Sequence, residues 1–358
     1  MRIRAAVCRA FGAPLQVEDV ELRPPAQGEV EVTLGAVAIC HSDISFLDGG
    51  WGGGLPAVFG HEAAGRVSAV GPGVPFAVGD PVIVTLIRSC GACLSCATGH
   101  PATCETPYDR MTGPLSEPGG GPIGHGLNCG AFAERVVVMA SQVALVPETM
   151  PAEVACLLAC GVITGVGAAV NTGRVRPGEV VVVIGAGGVG LNAIQGARLA
   201  GARRIIAVDH AEPKRAAAHE FGATDFLLTD GQPWREVHRI AGRGADAVLV
   251  SVGATAAYDT APRYLAPGGR VVLVGMPHSG ARSSYEPVVL AALRQGMAGS
   301  MMGDTVLARD IPWLVDLYEQ GRLKLDELIS GRWRLEAINE AIADTRSGAA
   351  RRNVILFG

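Results

Sequence analysis

Four cysteines in one short stretch, Cys90, Cys93, Cys96 and Cys104, stand in the spacing C-x2-C-x2-C-x7-C. Four thiolates from a single lobe can close a tetrahedron around zinc and leave no position for water or substrate, the arrangement of a structural site. Inert buried cysteines have no reason to recur every third residue. An iron–sulfur cluster is the other group that four thiolates hold. A second set is scattered: Cys40 in AICHSD, the pair His61-Glu62 in FGHEAAG, and Cys160 in LLACGVITG. Singly, each reads as a core cysteine or a structural histidine. Together, two thiolates and one imidazole match a catalytic zinc with an open fourth position. Their separation along the chain leaves their convergence underived.

A third feature is the run VVVIGAGGVGLNA, which places Gly185-x-Gly187-x-x-Gly190 between a strand and a helix, with Gly188 and Val189 inside the turn. Gly185 permits the tight turn, Gly187 lets the backbone approach a pyrophosphate, and Gly190 allows close packing of helix on strand. The free N–H groups and positive dipole of the helix start then face the phosphates. Asp209 ends the next strand, nineteen residues after Gly190. An acid there accepts hydrogen bonds from the ribose hydroxyls and repels a 2′-phosphate, which favours NAD over NADP. Lys214, one turn into the following helix, can also reach the ribose. The bland alternative is a glycine turn in another α/β fold, with Asp209 a solvated loop acid. A hydride-transferring NAD enzyme requires no one-electron centre, which favours zinc over iron–sulfur at the four cysteines.

The elements that must position these groups fall into two patterns. Residues 1–150 read as short strands broken by glycine and proline, such as 28–39, 63–71 and 80–87, which suggests an antiparallel, barrel-like domain. The segment from Thr106 to Gly130 reads as a long irregular loop, functional or mobile. From about residue 152, apolar strands (181–185, 204–209, 225–229, 246–253, 269–276) alternate with helices such as 191–201 and 212–222, each ending at a glycine. That alternation means a parallel sheet covered on both faces. Beyond about residue 298 it stops, and helices at 310–321 and 335–348 precede a last strand at 353–358. The fold class is α/β with a β-rich part.

Of the 358 residues, 49% are apolar and 18% charged, so disorder is excluded and about two packed domains are expected. A net charge of -4 gives no broad basic surface for nucleic acid. No apolar run is read as long enough to span a membrane, and MRIRAAVCRAFG lacks the apolar stretch of a signal peptide. Nine cysteines in a cytoplasmic protein are candidates for metal or catalysis rather than disulfides.

Cys40-His41-Ser42-Asp43, Gly60-His61-Glu62, the Cys90–Cys104 lobe, Cys160-Gly161-x-x-Thr164-Gly165, Gly185–Gly190 and Asp209 stand in the order of the zinc-containing medium-chain alcohol dehydrogenases. The chain resembles that family from its first strand to Arg352, and most closely the class I and class III branch. The resemblance implies a GroES-like catalytic domain, 1–161 with 298–358, and a Rossmann NAD-binding domain, 162–297. It implies that Cys40, His61 and Cys160 hold a catalytic zinc, with Glu62 behind it, and that Cys90, Cys93, Cys96 and Cys104 hold a second, structural zinc. His41 and Arg352 would contact the cofactor pyrophosphate, while Thr164 and Val189 pack beside the nicotinamide. Phe46, Trp51, Phe59, Leu86, Met276 and Met301 would line the substrate cleft, although each also suits an ordinary core. Such a cleft suits an uncharged, fairly hydrophobic or aromatic primary or secondary alcohol, or its aldehyde or ketone.

Two alternatives within the family are a polyol dehydrogenase and an S-(hydroxymethyl)glutathione (formaldehyde) dehydrogenase. The latter needs cationic groups, for which Arg110 and Arg282 are available. Outside it stand a zinc-free quinone or enoyl reductase, which would lack the Cys40, His61 and Cys160 set, and a non-catalytic protein that keeps the fold. His125, in PIGHG, could border the entrance of the cleft, but reads rather as a surface residue. Family members are homodimers or homotetramers paired through the Rossmann sheet.

In this family zinc acts as a Lewis acid on the alcohol while NAD accepts hydride. Ser42 matches the hydroxyl that takes the alcohol proton and relays it through the ribose; otherwise it would satisfy local backbone groups. Many members end this relay with a histidine where this chain has Ser45. Serine relays a proton but has no pKa near neutrality and cannot serve as the base. Ordered water or His41 would have to replace it. The oxidation rate is therefore expected to depend strongly on pH and buffer. A Ser45→His variant should flatten that profile, and an identical profile would count against the assignment.

Overall fold

A computed structural model describes residues 1–358. The chain divides into two compact units, Met1–Cys160 with Val306–Gly358, and Gly161–Thr305.

The first unit is built from two sheets. Five strands run in the order Leu115–Ser116, Gln16–Leu22, Arg2–Cys8, Ala57–Val58, Gly124–His125. The larger sheet runs Val143–Leu145, Pro81–Val84, Glu62–Val70, Glu29–Ala38, Arg352–Leu356, Ile329–Arg334, and Arg135–Met139 also pairs with Glu29–Ala38. Most pairings are antiparallel, and Val30, Val32 and Leu34, every second residue of the strand Glu29–Ala38, are all buried. Glu29–Ala38 is the hub. Its pairing with Glu62–Val70 slips register at Val32 and Ala36, and a Cβ on Gly65 would lie 2.0 Å from the Thr33 carbonyl oxygen. Only glycine lets the two strands approach so closely. The C-terminal strand Arg352–Leu356 pairs with the far end of the hub, Val354 opposite Ala38. That pairing is what ties the tail to the first unit.

In the second unit six parallel strands lie in the order Asp225–Leu228, Arg204–Asp209, Val180–Ile184, Ala245–Val250, Leu265–Leu273, Gly296–Gly299. This is the 3-2-1-4-5-6 order of a Rossmann sheet, and its switch point falls between Val180–Ile184 and Ala245–Val250. All five residues of Val180–Ile184 are buried, as a sheet covered on both faces requires. Gly222 ends the helix Lys214–Phe221 at φ 116, the left-handed cap expected of a glycine there.

Three expectations are corrected. The last sheet strand, Gly296–Gly299, pairs with Leu265–Leu273, so the second unit extends to Thr305 rather than stopping at 297. The sequence GMAG has no alternation to announce a strand. The segment 106–130 is not a free loop: Leu115–Ser116 pairs with Gln16–Leu22, and Gly124–His125 pairs with Ala57–Val58. Two-residue strands are too short to leave a periodic signal. Finally, one apolar segment does reach spanning length. The helix Ala152–Thr172 has 21 residues and a mean hydropathy of 2.0, with 89% of that window buried inside the protein. Alanine and glycine dilute its pattern in the sequence, and burial of the segment accounts for its all-round apolarity.

Gly167 shows how tightly this helix is packed. A Cβ there would fall 2.3 Å from the carbonyl oxygen of Gly303, itself at φ 66. Gly167→Ala should cost about 1–3 kcal/mol, seen as a lower melting temperature in scanning calorimetry. An unchanged melting temperature would show that the two backbones separate freely.

Candidate active site

The hub strand Glu29–Ala38 runs out at Cys40, the extended N-cap (φ -106°, ψ 151°) of the helix His41–Leu47. Asp43, the third helical residue, turns its side chain back, and its Oδ2 accepts from the Cys40 amide at 3.0 Å. This is the acidic half of a capping box. Its Oδ1 accepts from the Gly60 amide and from His61 Nδ1, both at 3.0 Å. Asp43 and His61 are wholly buried. With Nδ1 donating to the carboxylate, His61 presents the Nε2 lone pair to the opposite side, the orientation a metal-binding histidine needs. Gly60 makes the approach possible at φ 90, since a Cβ there would lie 2.6 Å from the Phe132 nitrogen.

Cys160 enters from a π-helical turn, Leu158–Val162, inside the long apolar helix. Such turns widen a helix locally and recur at functional sites. The ligand atoms of Cys40, His61, Glu62 and Cys160 all lie within 4.8 Å of one another, and all four residues are buried. Tetrahedral zinc–thiolate bonds of 2.3 Å place sulfurs about 3.8 Å apart, so the donors fit that ion. The Cys40 thiol is held well below its ordinary value by its hydrogen bond with Cys160 and, against burial, by His61. The same Cys160 bond and burial push Cys160 up. Glu62 supplies the strongest sign of a cation: neither carboxylate oxygen has a hydrogen-bond partner. Burial pushes its pKa up to about 8, although Arg352 lies with Nη2 3.6 Å from Oε1. Arg352 is itself buried, beside the ligand cluster. Ser42 Oγ stands 3.3 Å from His61 Nε2, next to the atom that offers the lone pair.

The other cysteines close on one another in an exposed lobe formed by Leu94–Ala97 and Pro101–Thr103. The ligand atoms of Cys90, Cys93, Cys96 and Cys104 lie within 4.8 Å of one another, with Cys93 and Cys104 sulfurs 3.9 Å apart. Amides of Ala92 and Cys93 donate to Cys90 Sγ. With the Thr106 hydroxyl as the largest influence, they bring the Cys90 thiol down to about 5. Four partly exposed thiols in one ring suit zinc, and no oxygen donor joins them.

At the switch point, Gly185 adopts φ 97 and Gly187 caps the helix Gly188–Leu199. A Cβ on Gly190 would lie 1.8 Å from the Gly185 carbonyl oxygen, whereas one on Gly187 would meet nothing within 4 Å. Gly190 is thus a packing requirement, and Gly187 leaves open space over the turn. Ser251 Oγ donates to the carbonyls of Ile184 and Gly185, clamping the turn from the neighbouring strand end. Asp209 accepts from the amides of Ala186 (2.7 Å) and Ala211 (3.0 Å) and from Lys214 Nζ (3.2 Å). Against burial, these partners hold its carboxyl below the usual range. Thr164 and Val189 belong to adjoining helices, for a Cβ on Gly165 would fall 2.4 Å from the Val189 carbonyl oxygen.

Phe46 packs edge-on to Trp51 at 5.0 Å and stacks on Phe59 at 5.7 Å. Phe59 is core, while Phe46 and Leu86 are partly buried against it. Met276 and Met301, in the second unit, are 56% and 39% exposed. His41 is exposed at the start of its helix. The surface reading of His125 is wrong: it is buried, bonded through Nδ1 to Tyr108 at 2.9 Å, and burial lowers its pKa to about 4. Its strand pairing with Ala57–Val58, invisible in the sequence, draws it inward. Asp43, Ser251 and the placement of Arg352 were missed. Only Asp43 left a sequence signal, an acid three residues after a strand-ending cysteine.

The sequence pattern of the alcohol dehydrogenase GroES-like domain matches residues 26–148, and that of the zinc-binding dehydrogenases matches residues 188–320. The NDMA-dependent alcohol dehydrogenase of Amycolatopsis methanolica is 35% identical, over 99% of both chains. The S-(hydroxymethyl)glutathione dehydrogenase of Paracoccus denitrificans is 35% identical over the full length of both. The crystal structure of benzyl alcohol dehydrogenase from Acinetobacter calcoaceticus superposes over 100% of both chains with a TM-score of 0.94 at 31% identity. The chain belongs to the zinc-containing medium-chain dehydrogenase family, with GroES-like and Rossmann-type domains. Within that family its similarity is to alcohol dehydrogenases, which makes it an oxidoreductase.

Asp43→Asn keeps the shape of the side chain but removes the carboxylate that orients His61. Zinc affinity at the buried cluster should fall about 10–100-fold in competition with a chromophoric chelator. Unchanged affinity would show that His61 is held by packing alone.

Proposed function

We propose that this chain is an NAD-linked alcohol dehydrogenase with two zinc ions, oxidising a hydrophobic or aromatic primary or secondary alcohol to its aldehyde or ketone. The observation that carries the reading is the buried convergence of Cys40, His61 and Cys160, with Asp43 behind the histidine and Ser42 beside it. These three residues, backed by Glu62, would hold a catalytic zinc, whose Lewis acidity lowers the pKa of an alcohol. Cys90, Cys93, Cys96 and Cys104 would hold a structural one.

Around that centre the chain's own groups have distinct tasks. Ser42 Oγ would relay the proton of the alcohol, releasing its own hydroxyl proton as it accepts the other, since serine cannot hold the proton as a base. Phe46, Trp51 and Leu86 would offer apolar surface to the substrate body, with Phe59 buried behind Phe46. Gly185, Gly187, Gly188 and Gly190 would keep the turn low enough for a pyrophosphate to reach the helix N-terminus. Thr164 and Val189 would pack beside the nicotinamide. The ionised Asp209, with Lys214, favours the unphosphorylated ribose of NAD.

Two further expectations accompany this reading. Nine free thiols suit the reducing cytoplasm. A homodimer or homotetramer is supported by the edge strand Gly296–Gly299, whose neighbouring segment exposes Tyr285, Val288, Val289 and Leu293.

Metal analysis should give two zinc ions per chain, and a panel of benzylic and aliphatic alcohols should reduce NAD. Ser42→Ala should lower kcat about 100-fold or more, with Ser42→Thr restoring most of it. Gly187→Ala should weaken NAD binding in calorimetry while leaving the melting temperature in place. Absence of NAD reduction across the panel, or preference for S-(hydroxymethyl)glutathione or a polyol, would overturn the substrate assignment.

A further inference from the structure

His125 is the one buried histidine outside the metal cluster, and backbone closes in on its ring. A Cβ on Gly113 would lie 2.7 Å from the His125 Cβ, and one on Gly130 would lie 3.0 Å from its Cδ2. Tyr108 closes a further edge, with its hydroxyl 2.9 Å from Nδ1. Nε2 has no hydrogen-bond partner. A neutral imidazole leaves only one nitrogen idle there. An imidazolium carries two N–H donors, and the buried one on Nε2 would lack an acceptor.

The charges around the ring also oppose a proton on it. Arg110 faces it from the turn Arg110–Thr112. Arg88 lies with its Cζ 4.5 Å over the centre of the Tyr108 ring. Glu29, the acid on this side, is already held in a fork by Arg23. The Cys129 thiol is pushed up by burial and stays neutral. Neither Ala57–Val58, the strand paired with His125, nor the adjacent Leu115 brings a charge. Burial therefore holds the His125 pKa at about 4, although the Cys129 backbone and Glu29 pull the other way.

The stretch that His125 pins is the segment 106–126, which follows the four-cysteine lobe. It is paired only by short strands: Leu115–Ser116 against Gln16–Leu22, and Gly124–His125 against Ala57–Val58. Its turn sets the Arg110 Cζ 6.0 Å from the centre of the Phe46 ring. Met111 lies beside Gly54, where a Cβ would fall 2.7 Å from the Met111 sulfur. The segment thus covers the side of the first unit where Phe46 meets Trp51.

We propose that the His125–Tyr108 contact is an acid-released latch: proton uptake by His125 frees segment 106–126 from the Phe46–Trp51 surface while the central strand Glu29–Ala38 stays folded. The proton comes from solvent and returns to it on closing, so the latch stands independently of the dehydrogenase reading. In the open segment His125 is hydrated and regains the ordinary histidine pKa of about 6.5. The closed segment holds the proton more weakly. Closure is therefore fully present above about pH 6.5 and is lost as pH falls towards 4. Between pH 7 and pH 5 the opening equilibrium should rise about 20-fold.

Hydrogen exchange read by mass spectrometry on the zinc-loaded full chain tests this, with rates corrected for intrinsic exchange and zinc content measured at both pH values. Peptides from 106–126 should show the 20-fold rise, while peptides from Glu29–Ala38 stay protected. His125→Gln keeps a polar side chain that does not titrate, and the rise should disappear. Tyr108→Phe loosens the latch but keeps the titrating ring. Opening should then be greater at both pH values with the rise between them retained, which keeps the test decisive if His125→Gln does not fold. A wild-type rise near one-fold, a rise that persists in His125→Gln or vanishes in Tyr108→Phe, or one matched by zinc release from the lobe overturns the proposal.

Discussion

The buried carboxylate of Asp43 is the contact on which the buried cluster depends. It is wholly desolvated, and it accepts hydrogen bonds from the Cys40 amide, the Gly60 amide and His61 Nδ1. A charge so placed is tolerable only when its lone pairs are engaged. Engaging them draws the end of one strand, the approach to another and a ring into one geometry. Cys40 and His61 are 21 residues apart in the chain, yet they are locked by two oxygens of one side chain.

That lock works because the backbone around it is permissive where it must be. Gly60 takes a left-handed conformation against Phe132, and Gly65 lets Glu62–Val70 slide close to Glu29–Ala38. A side chain at either place would push His61 and Glu62 away from Cys40. The C-terminal strand then completes the arrangement. Its first residue, Arg352, sits with its guanidinium beside the otherwise unpartnered carboxylate of Glu62. A net balance of two thiols, a carboxylate, a guanidinium and an imidazole in a buried space suits a dication better than any hydrogen-bonded core.

The two cysteine clusters illustrate different uses of one donor chemistry. Cys90, Cys93, Cys96 and Cys104 occupy an exposed lobe and satisfy each other through amide-to-sulfur bonds, a self-contained brace. Cys40 and Cys160 are buried and share the hydrogen bond that separates their acidities. The donor sets distinguish them: one ring is four sulfurs, while the other mixes two sulfurs with an imidazole and a carboxylate beside the Ser42 hydroxyl.

Local spacing was enough to read the Cys90–Cys104 lobe, because all four donors sit within fifteen residues, and to read the Gly185–Gly190 turn, because strand, turn and helix adjoin. The six-strand alternation was legible for the same reason, except at Gly296–Gly299, where glycine and methionine carry no period. Burial of His125, the pairing of 115–116 and 124–125, and the return of Arg352 to Glu62 were not legible. Each is fixed by hydrogen bonds between segments far apart in sequence, and such contacts leave no local pattern. The sequence by itself determined which atoms are available for metal and dinucleotide, since residue type and short spacing decide that. Only the tertiary structure decided that Cys40, His61 and Cys160 meet, because the carboxylate that Asp43 shares between Cys40 and His61 and the burial of the helical turn that carries Cys160, rather than spacing, bring those side chains together.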